Sequence, residues 1–325
     1  GIVADWANIN GFHLAENVGK EFDTVNGLLL VEKFEVKRKE GGTNSKSGRE
    51  PKLSRLVEGQ VHLHVDTENL RRSAHMIEPD DFITITYKTH GTSWWVGNVL
   101  VKKALTFKDK VAKWFDVDVV EQGYDLVYGS RRVVKNADLE DPKAKDHYFG
   151  YDLWEQIKNE VADKIPKGFT LYGEMLGYDH NGGEIQKGFD YGCLYGQHQL
   201  EVYRITQTTP DGLVTELSTA QIREFCYRVG LTPSTLFYSG KAKDFVTTTK
   251  LIGLEEWREL FITQLEEKYN EKDCFMCKLA VPEEGVVIRK DKLFSYEAYK
   301  LKSFRFLEWE SKSLDTGVED IESEN

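Results

Sequence analysis

An α+β fold is the expectation set by three features of the chain. Segments of alternating apolar and polar residues mark strands through its middle, and apolar residues at every fourth position mark helices among them. The two kinds of element succeed one another without a regular βαβ rhythm, which favours antiparallel sheets flanked by helices over one parallel sheet.

The first elements are irregular. Residues 36–57 hold Lys37, Arg38, Lys39, Lys46, Arg49, Lys52 and Arg55 against Glu40 and Glu50. The polar stretch Gly41–Gly48 has no apolar period and reads as a flexible loop. Residues 1–60 are therefore expected to form an N-terminal segment and a flexible basic linker. The opening on Gly1, with Asn10-Gly11-Phe12 and Val25-Asn26-Gly27-Leu28-Leu29-Leu30, reads like the exit from an earlier module.

Strands dominate the middle of the chain. Phe82-Ile83-Thr84-Ile85-Thr86-Tyr87 alternates, and Trp94–Val101 comes after a short break, so the pair is predicted to form a hairpin. Further strands are expected at 169–176, 198–206, 285–290 and 296–302. Thr209-Pro210-Asp211-Gly212 is a turn, because Pro presets φ and Gly accepts a positive φ.

Helices lie between them. Leu153, Ile157, Val161 and Ile165 make one stripe, and Trp257, Phe261, Leu265 and Tyr269 another. Ser218-Thr219-Ala220-Gln221 has capping-box spacing, with Gly230 placed to end that helix. Phe304-Arg305-Phe306-Leu307-Glu308-Trp309 reads as a closing strand or docking segment, and 311–325 as an acidic tail.

Composition narrows the function. The 325 residues hold 43 Lys and Arg against 54 Asp and Glu, a formal charge of −11, which argues against holding nucleic acid by a uniformly basic surface. No run approaches the roughly 18 apolar residues of a membrane-spanning helix, and no secretory leader is visible. Four cysteines do not make a disulfide scaffold, so a reducing cytoplasmic setting fits, the host cell's cytoplasm for a viral chain. Cys274-Phe275-Met276-Cys277 is half a zinc knuckle, and a reduced structural pair is the preferred reading. His62-Leu63-His64 would place two rings on one face of a strand, with packing or substrate-edge roles favoured over metal ligation.

The chemistry-bearing segments come in order along the chain. Tyr87-Lys88-Thr89-His90-Gly91-Thr92 presents an amine at a strand's end beside a glycine turn. Leu171-Tyr172-Gly173-Glu174-Met175 is next, then Glu284-Gly285-Val286-Val287-Ile288-Arg289, then Lys300-Leu301-Lys302. A lysine attacks a phosphate only as the neutral amine, so it needs cations or burial nearby. Lys300 and Lys302, two apart on a strand, share a face and can supply that field and neutralise phosphate charge. Glu284 at a strand start could hold a divalent metal or orient the lysine, and Glu174 could accept ribose hydroxyls.

This ordered set, K-x-x-G, a G-E strand, E-G-x-V-x-R and K-x-K, resembles the covalent nucleotidyltransferase superfamily of DNA ligases, RNA ligases and capping enzymes. Its K-x-H-G-T variant is similar to RNA ligases of the nick-sealing, RNA-ligase-2-like type, over about residues 60–310. The resemblance implies a nucleotidyltransferase (ligase adenylation domain) fold at 61–310 and an ATP-dependent RNA ligase that joins 3′-OH and 5′-phosphate ends. It implies AMP bound covalently to Lys88, a Mg2+ or Mn2+ ion held by Glu284 and Glu174, and phosphate contacts from Lys300 and Lys302. Tyr87, His90, Gly91, Thr92 and Arg131 would border the nucleotide, with Arg132 as an alternative to Arg131. Leu200 stands where the family stacks an aromatic ring on adenine, so either it or Tyr203 would clamp the base, with Ile288 on the other side. RNA ends, in a nicked duplex, would be the partners of a monomer away from membranes. The alternatives are a DNA ligase, a capping guanylyltransferase, or a nucleotide- or RNA-binding module without chemistry. Only 23 residues come after Lys302, fewer than the helical domain of nick-sealing ligases needs, and the expectation is the catalytic part of a longer ligase.

Overall fold

The computed structural model describes residues 24–25, 28–29, 54–139 and 151–315. The chain forms two compact units, Gly1–Pro51 and Lys52–Asn325. In the smaller, β1 (Thr24–Val25) pairs antiparallel with β2 (Leu28–Leu29).

The larger unit is α+β. In chain order its strands are β3 (Glu68–Asn69), β4 (Phe82–Tyr87), β5 (Thr92–Lys102), β6 (Gln122–Gly129), β7 (Phe169–Gly177), β8 (His198–Thr208), β9 (Val214–Glu216), β10 (Thr232–Pro233), β11 (Leu236–Lys241), β12 (Gly285–Asp291) and β13 (Tyr296–Lys302). Its helices are α1 (Leu70–Ser73), α2 (Phe107–Trp114), α3 (Leu153–Val161), α4 (Thr219–Val229), α5 (Ala242–Phe245), α6 (Leu254–Tyr269) and α7 (Phe304–Asp315). One sheet runs β10-β8-β7-β5-β6, with β9 also on β8, and the other runs β11-β4-β12-β13-β3. Pairing is antiparallel except β10 with β8 and β13 with β3.

The predicted hairpin does not form. Strand β4 pairs with β11 and β12, whereas β5 pairs with β6 and β7 in the other sheet. Alternation identifies each strand, but the partner is chosen by which faces fit, and both strands end up central. Residues Lys88–Gly91 therefore cross from sheet to sheet.

Each sheet buries one face under helices. Leu153, Trp154, Ile157 and Val161 of α3 pack with Ile222 and Cys226 of α4 against β5, β7 and β8. Trp257, Phe261, Leu265 and Tyr269 of α6 pack on Ile83, Ile85, Val286 and Ile288 of the second sheet. Each such fully buried side chain contributes about 1.5–3 kcal/mol. The Ser218–Gln221 capping box and the left-handed Gly230 bound α4.

Two further segments differ from expectation. Residues 304–309 begin a helix: Ser303 Oγ accepts the Phe306 N–H at 3.0 Å, while Phe306 and Trp309 pack inward. The alternation of aromatic and charged residues imitated a strand there, and the 306/309 spacing is the helical one. The expected basic linker is also shorter at its C-terminal end. Arg55 is buried, pairs with Asp125 at 2.5 Å, and its carbonyl accepts the Lys102 N–H at 2.7 Å. The rest of that linker, and tail residues 316–325, lie outside the described residues. Among the described residues no helix is long and apolar enough to cross a membrane.

Gly173 and Gly285 flank the motif glutamates, and the sheet itself requires a glycine at both. A Cβ on Gly173 would lie 2.1 Å from the Glu201 carbonyl oxygen and 2.6 Å from the Trp94 ring. Gly285 has φ +138°, and a Cβ there would meet the Leu301 oxygen at 2.1 Å. Gly173→Ala is expected to destabilise the larger unit by about 1–3 kcal/mol. That would lower its thermal midpoint by several degrees, as tracked by circular dichroism.

Candidate active site

A cleft opens between the sheets where the chain crosses at Lys88–Gly91. The Lys88 N–H donates to the Gly285 carbonyl at 2.9 Å, which holds the crossing against the start of β12. Strand parity decides what β12 and β13 send into the cleft. From β12 and β13 come Val287, Arg289, Ala298, Lys300 and Lys302, while Val286, Ile288, Tyr299 and Leu301 face the core. From the first sheet come Ser93, Glu174, Glu201, Tyr203 and Arg204. Among the described residues, Lys88, Arg131, Arg204, Arg223, Arg289, Lys300 and Lys302 line the cleft beside Glu174 and Glu201, so its wall carries more basic than acidic side chains in an acidic chain.

At one end the Lys88 ammonium lies 2.6 Å from Glu284 Oε1, and the Lys302 ammonium is 3.7 Å from the same oxygen. Glu284 is buried behind these lysines and is not itself part of the cleft wall. Lys302 is held from the other side by Glu310 of α7 at 2.9 Å. Burial, reinforced by Lys88, Arg131 and Lys302, pushes the Lys300 ammonium below its ordinary range. Arg131 pairs with Asp66 at 2.5 Å and lines the cleft, while Arg132 reaches the same carboxylate at 3.1 Å from the exposed side.

The other end is buried and mixed. Glu201 accepts hydrogen bonds from Thr89 Oγ1 at 3.0 Å and Ser234 Oγ at 2.9 Å. Its second oxygen has no hydrogen-bond partner among the described residues. Burial raises the Glu201 carboxyl to about 7, against the opposing pull of Ser234, Thr89 and Lys88. Tyr203 Oη meets His64 Nδ1 at 3.1 Å, and burial together with Arg131 and Arg204 pushes the His64 ring down to about 4. Arg204 is clamped by Glu216, and the Arg289 guanidinium stacks 4.0 Å over the Tyr296 ring.

Glu201 gives a signed pH prediction. A carboxyl raised from 4.5 to about 7 in the folded state favours the folded chain while protonated. That contribution is complete below the unfolded value and is lost as pH rises through about 7. Glu283, raised to about 8 by burial and by Cys274 and Glu284, acts in the same direction. Glu201→Gln keeps the acceptor for Thr89 and Ser234, so the fall in thermal midpoint between pH 5 and 8 should become shallower in that variant. Parallel profiles for variant and wild type would contradict it.

Several residues expected at the site lie elsewhere. His90 is buried with its ring against Phe189, Phe306 and Trp309, and its N–H donates to Tyr191 Oη at 2.5 Å. Gly91 and Thr92 are buried beside β7, where a Cβ on Gly91 would strike the Met175 oxygen at 2.5 Å. These three fix the crossing that carries Lys88 and do not line the cleft. Leu200 belongs to the core under α3 and α4, and Ile288 to the core under α6, so Tyr203 and Val287 take the cleft-facing places. Tyr87 borders the cleft while its ring packs on Phe237 and Phe275. His62 bonds the Gly59 carbonyl at 2.8 Å, and residues 61–67 form no strand, so the two histidines do not share a face. Glu201, Arg204, Arg223 and Tyr296 line the cleft without having been singled out in the sequence; alternation along β13 carried the signal for Tyr296, whereas the register shift of β8 opposite Tyr172–Gly173 brings both Glu201 and Arg204 to the cleft, and Arg223 comes from α4.

The donor set suits a nucleotide. Ammonium groups at one end match phosphates. The unpartnered, buried Glu201 oxygen offers an acceptor to a base or sugar donor. For a divalent ion, Glu174 and Glu201 are the carboxylates facing the cleft, Glu201 already accepting from Thr89 and Ser234, while Glu284 is engaged by lysines. Mg2+ ordinarily takes one or two carboxylates plus phosphate oxygens and water, so this arrangement fits an ion that arrives with a phosphate. All four cysteines are free thiols, and no group of three metal-ligating side chains among the described residues includes one.

No protein-family model and no curated protein matches the chain. Solved structures of Naegleria gruberi RNA ligase are similar to it. The ligase with pyrophosphate aligns at TM-score 0.49 and 13% identity, covering 91% of this chain and 70% of that one. A mutant of that ligase with AMP and Mn aligns at TM-score 0.47 and 12% identity, covering 79% of this chain and 60% of that one. A mutant with ATP and Mn aligns at 0.46 and 12%, with the same coverage. The chain thus spans about three fifths of the length of the ligase in these two mutant structures.

Proposed function

We propose that the chain is an ATP-dependent RNA ligase that works through a lysyl–AMP on Lys88. The observation that carries this reading is the Lys88–Glu284 pair at 2.6 Å, flanked by Lys302 and set at the mouth of a cleft with more basic than acidic side chains in its wall. In the first step the Lys88 amine attacks the α-phosphate of ATP, forming the N–P bond while the bond to pyrophosphate breaks. Glu284 holds the amine and lies within reach of the proton it must shed. Lys300 and Lys302 meet the charge that builds on the phosphate oxygens. A 5′-phosphate end of RNA then takes the AMP from Lys88, and a 3′-hydroxyl displaces AMP from that end to seal the strand. A bound Mg2+ or Mn2+, with Glu174 as its cleft-side ligand, would supply Lewis-acid neutralisation of phosphate charge. Tyr203 and Val287 wall the base, and Arg131 reaches toward ribose or the RNA 3′ end.

The test is sealing of paired substrates. With ATP and Mg2+, a nicked duplex with RNA on both sides of the nick should be joined faster than its all-DNA counterpart. GTP should not replace ATP. Preference for the DNA nick would indicate a DNA ligase, and labelling by GTP a capping enzyme. Nucleotide binding without labelling would indicate a module lacking chemistry.

A further inference from the structure

A second cluster of ligating side chains lies outside the cleft. Glu160 near the end of α3, His180 in the loop after β7 and His198 at the start of β8 bring their donor atoms within 4.8 Å of one another. Glu160 Oε1 is 3.3 Å from His180 Nε2, and Glu160 Oε2 is 2.9 Å from His198 Nε2. The two imidazoles stand nearly perpendicular, at 75°, with centroids 4.7 Å apart. None of the three lines the cleft.

The spacing is that of a metal's first shell. Donors held about 2.0–2.1 Å from zinc at tetrahedral angles are about 3.3–3.4 Å from each other. The Glu160–His180 separation equals that edge, the Glu160–His198 contact is shorter at 2.9 Å, and all three donors lie within 4.8 Å of one another. The backbone around the cluster is fixed. Gly177 pairs with His198 across β7 and β8, and the Tyr178 N–H donates to the Gln197 carbonyl at 3.0 Å. Asp179 Oδ1 accepts from the Asn181 and Gly183 N–H groups at 2.8 and 2.7 Å. The His180 N–H donates to Tyr151 Oη at 3.2 Å. Glu160 and His198 also border an open surface cavity, which leaves room for water at a further coordination position. Lys164, four residues after Glu160, is turned to the Glu160 carbonyl at 2.8 Å and the Asp163 carboxylate at 3.0 Å, and Lys158, two residues before Glu160, pairs with Glu155 at 3.4 Å.

We infer that Glu160, His180 and His198 form a zinc site, closed by water, that clips the end of α3 to the strands β7 and β8. Two imidazoles and one carboxylate suit a borderline ion such as Zn2+ and disfavour Mg2+, which takes oxygen ligands. This site is separate from any ion that accompanies a nucleotide.

The experiment uses the full chain stripped with a chelator, dialysed against Zn2+ in millimolar Mg2+, with Co2+ absorption as the geometric probe. One Zn2+ per chain should be retained, and Co2+ should give visible bands of low-symmetry coordination. Glu160→Gln, His180→Asn and His198→Gln should each weaken Zn2+ by about tenfold or more. Zn2+ should raise the thermal midpoint of the wild type but not of the His180/His198 double variant. A Cys274/Cys277→Ser variant should bind as the wild type does. Absence of stoichiometric Zn2+, full binding by the double histidine variant, or loss of binding in the cysteine variant would each overturn the site. Adenylylation of Lys88 is measured separately, so either result leaves the ligase reading where it stood.

Discussion

Lys88→Ala will reduce nucleotidyl transfer by at least about 10³-fold, because no other amine in the cleft is placed to carry the adduct. Lys88 alone sits on the crossing between the sheets, with its backbone tied to Gly285 and its ammonium 2.6 Å from a buried carboxylate. Lys88→Arg should fail to the same degree. A guanidinium keeps the positive charge but cannot become a neutral nucleophile. Equal loss in both variants separates nucleophile from electrostatic anchor. Substantial activity in the arginine variant would assign Lys88 to phosphate binding only. ATP binding by either variant, measured by calorimetry, should fall far less than turnover.

Glu284→Gln carries the second largest effect. The carboxylate is buried and faces two ammonium groups at 2.6 and 3.7 Å, so an uncharged amide leaves Lys88 and Lys302 without their shared buried counter-charge. The lysine then loses its position, and misplacement of a reacting group by about 1 Å costs on the order of 10²-fold in rate. Adenylylation should fall by about 10²–10³-fold. The folded chain should lose about 1–3 kcal/mol, less than a fully buried pair would cost, since both lysines are partly exposed. Glu310→Gln, which touches only the solvent side of Lys302, should cost much less in both respects. Similar effects for the two glutamates would contradict the ranking of their burial.

Much of this was legible in the sequence where the physics is local. Strand alternation placed Lys300 and Lys302 on one face, and both reach the cleft. Helical stripes located the buried faces of α3 and α6. The losses came where a choice depends on distant partners. Ile288 and Val287 are neighbours on β12, and only the stacking of α6 on the second sheet decides which faces the core. Leu200 and Tyr203 are separated the same way by the helices under β8. The break between β4 and β5 looked like a hairpin turn, because nothing within that segment reveals that both strands pair elsewhere. His90 carries a motif position, but the cage that encloses its ring is assembled from 189, 306 and 309. Glu160, His180 and His198 are drawn together only by the packing of α3 on the sheet, at spacings no motif records.

The central claim is that Lys88 becomes covalently attached to AMP. Intact-mass spectrometry after incubation with ATP and Mg2+ reads this directly. The account predicts a species heavier by one AMP, mapped to Lys88 by peptide sequencing, removed by added pyrophosphate and absent in Lys88→Ala. No adduct in the wild type, or an adduct that survives in Lys88→Ala, would contradict it.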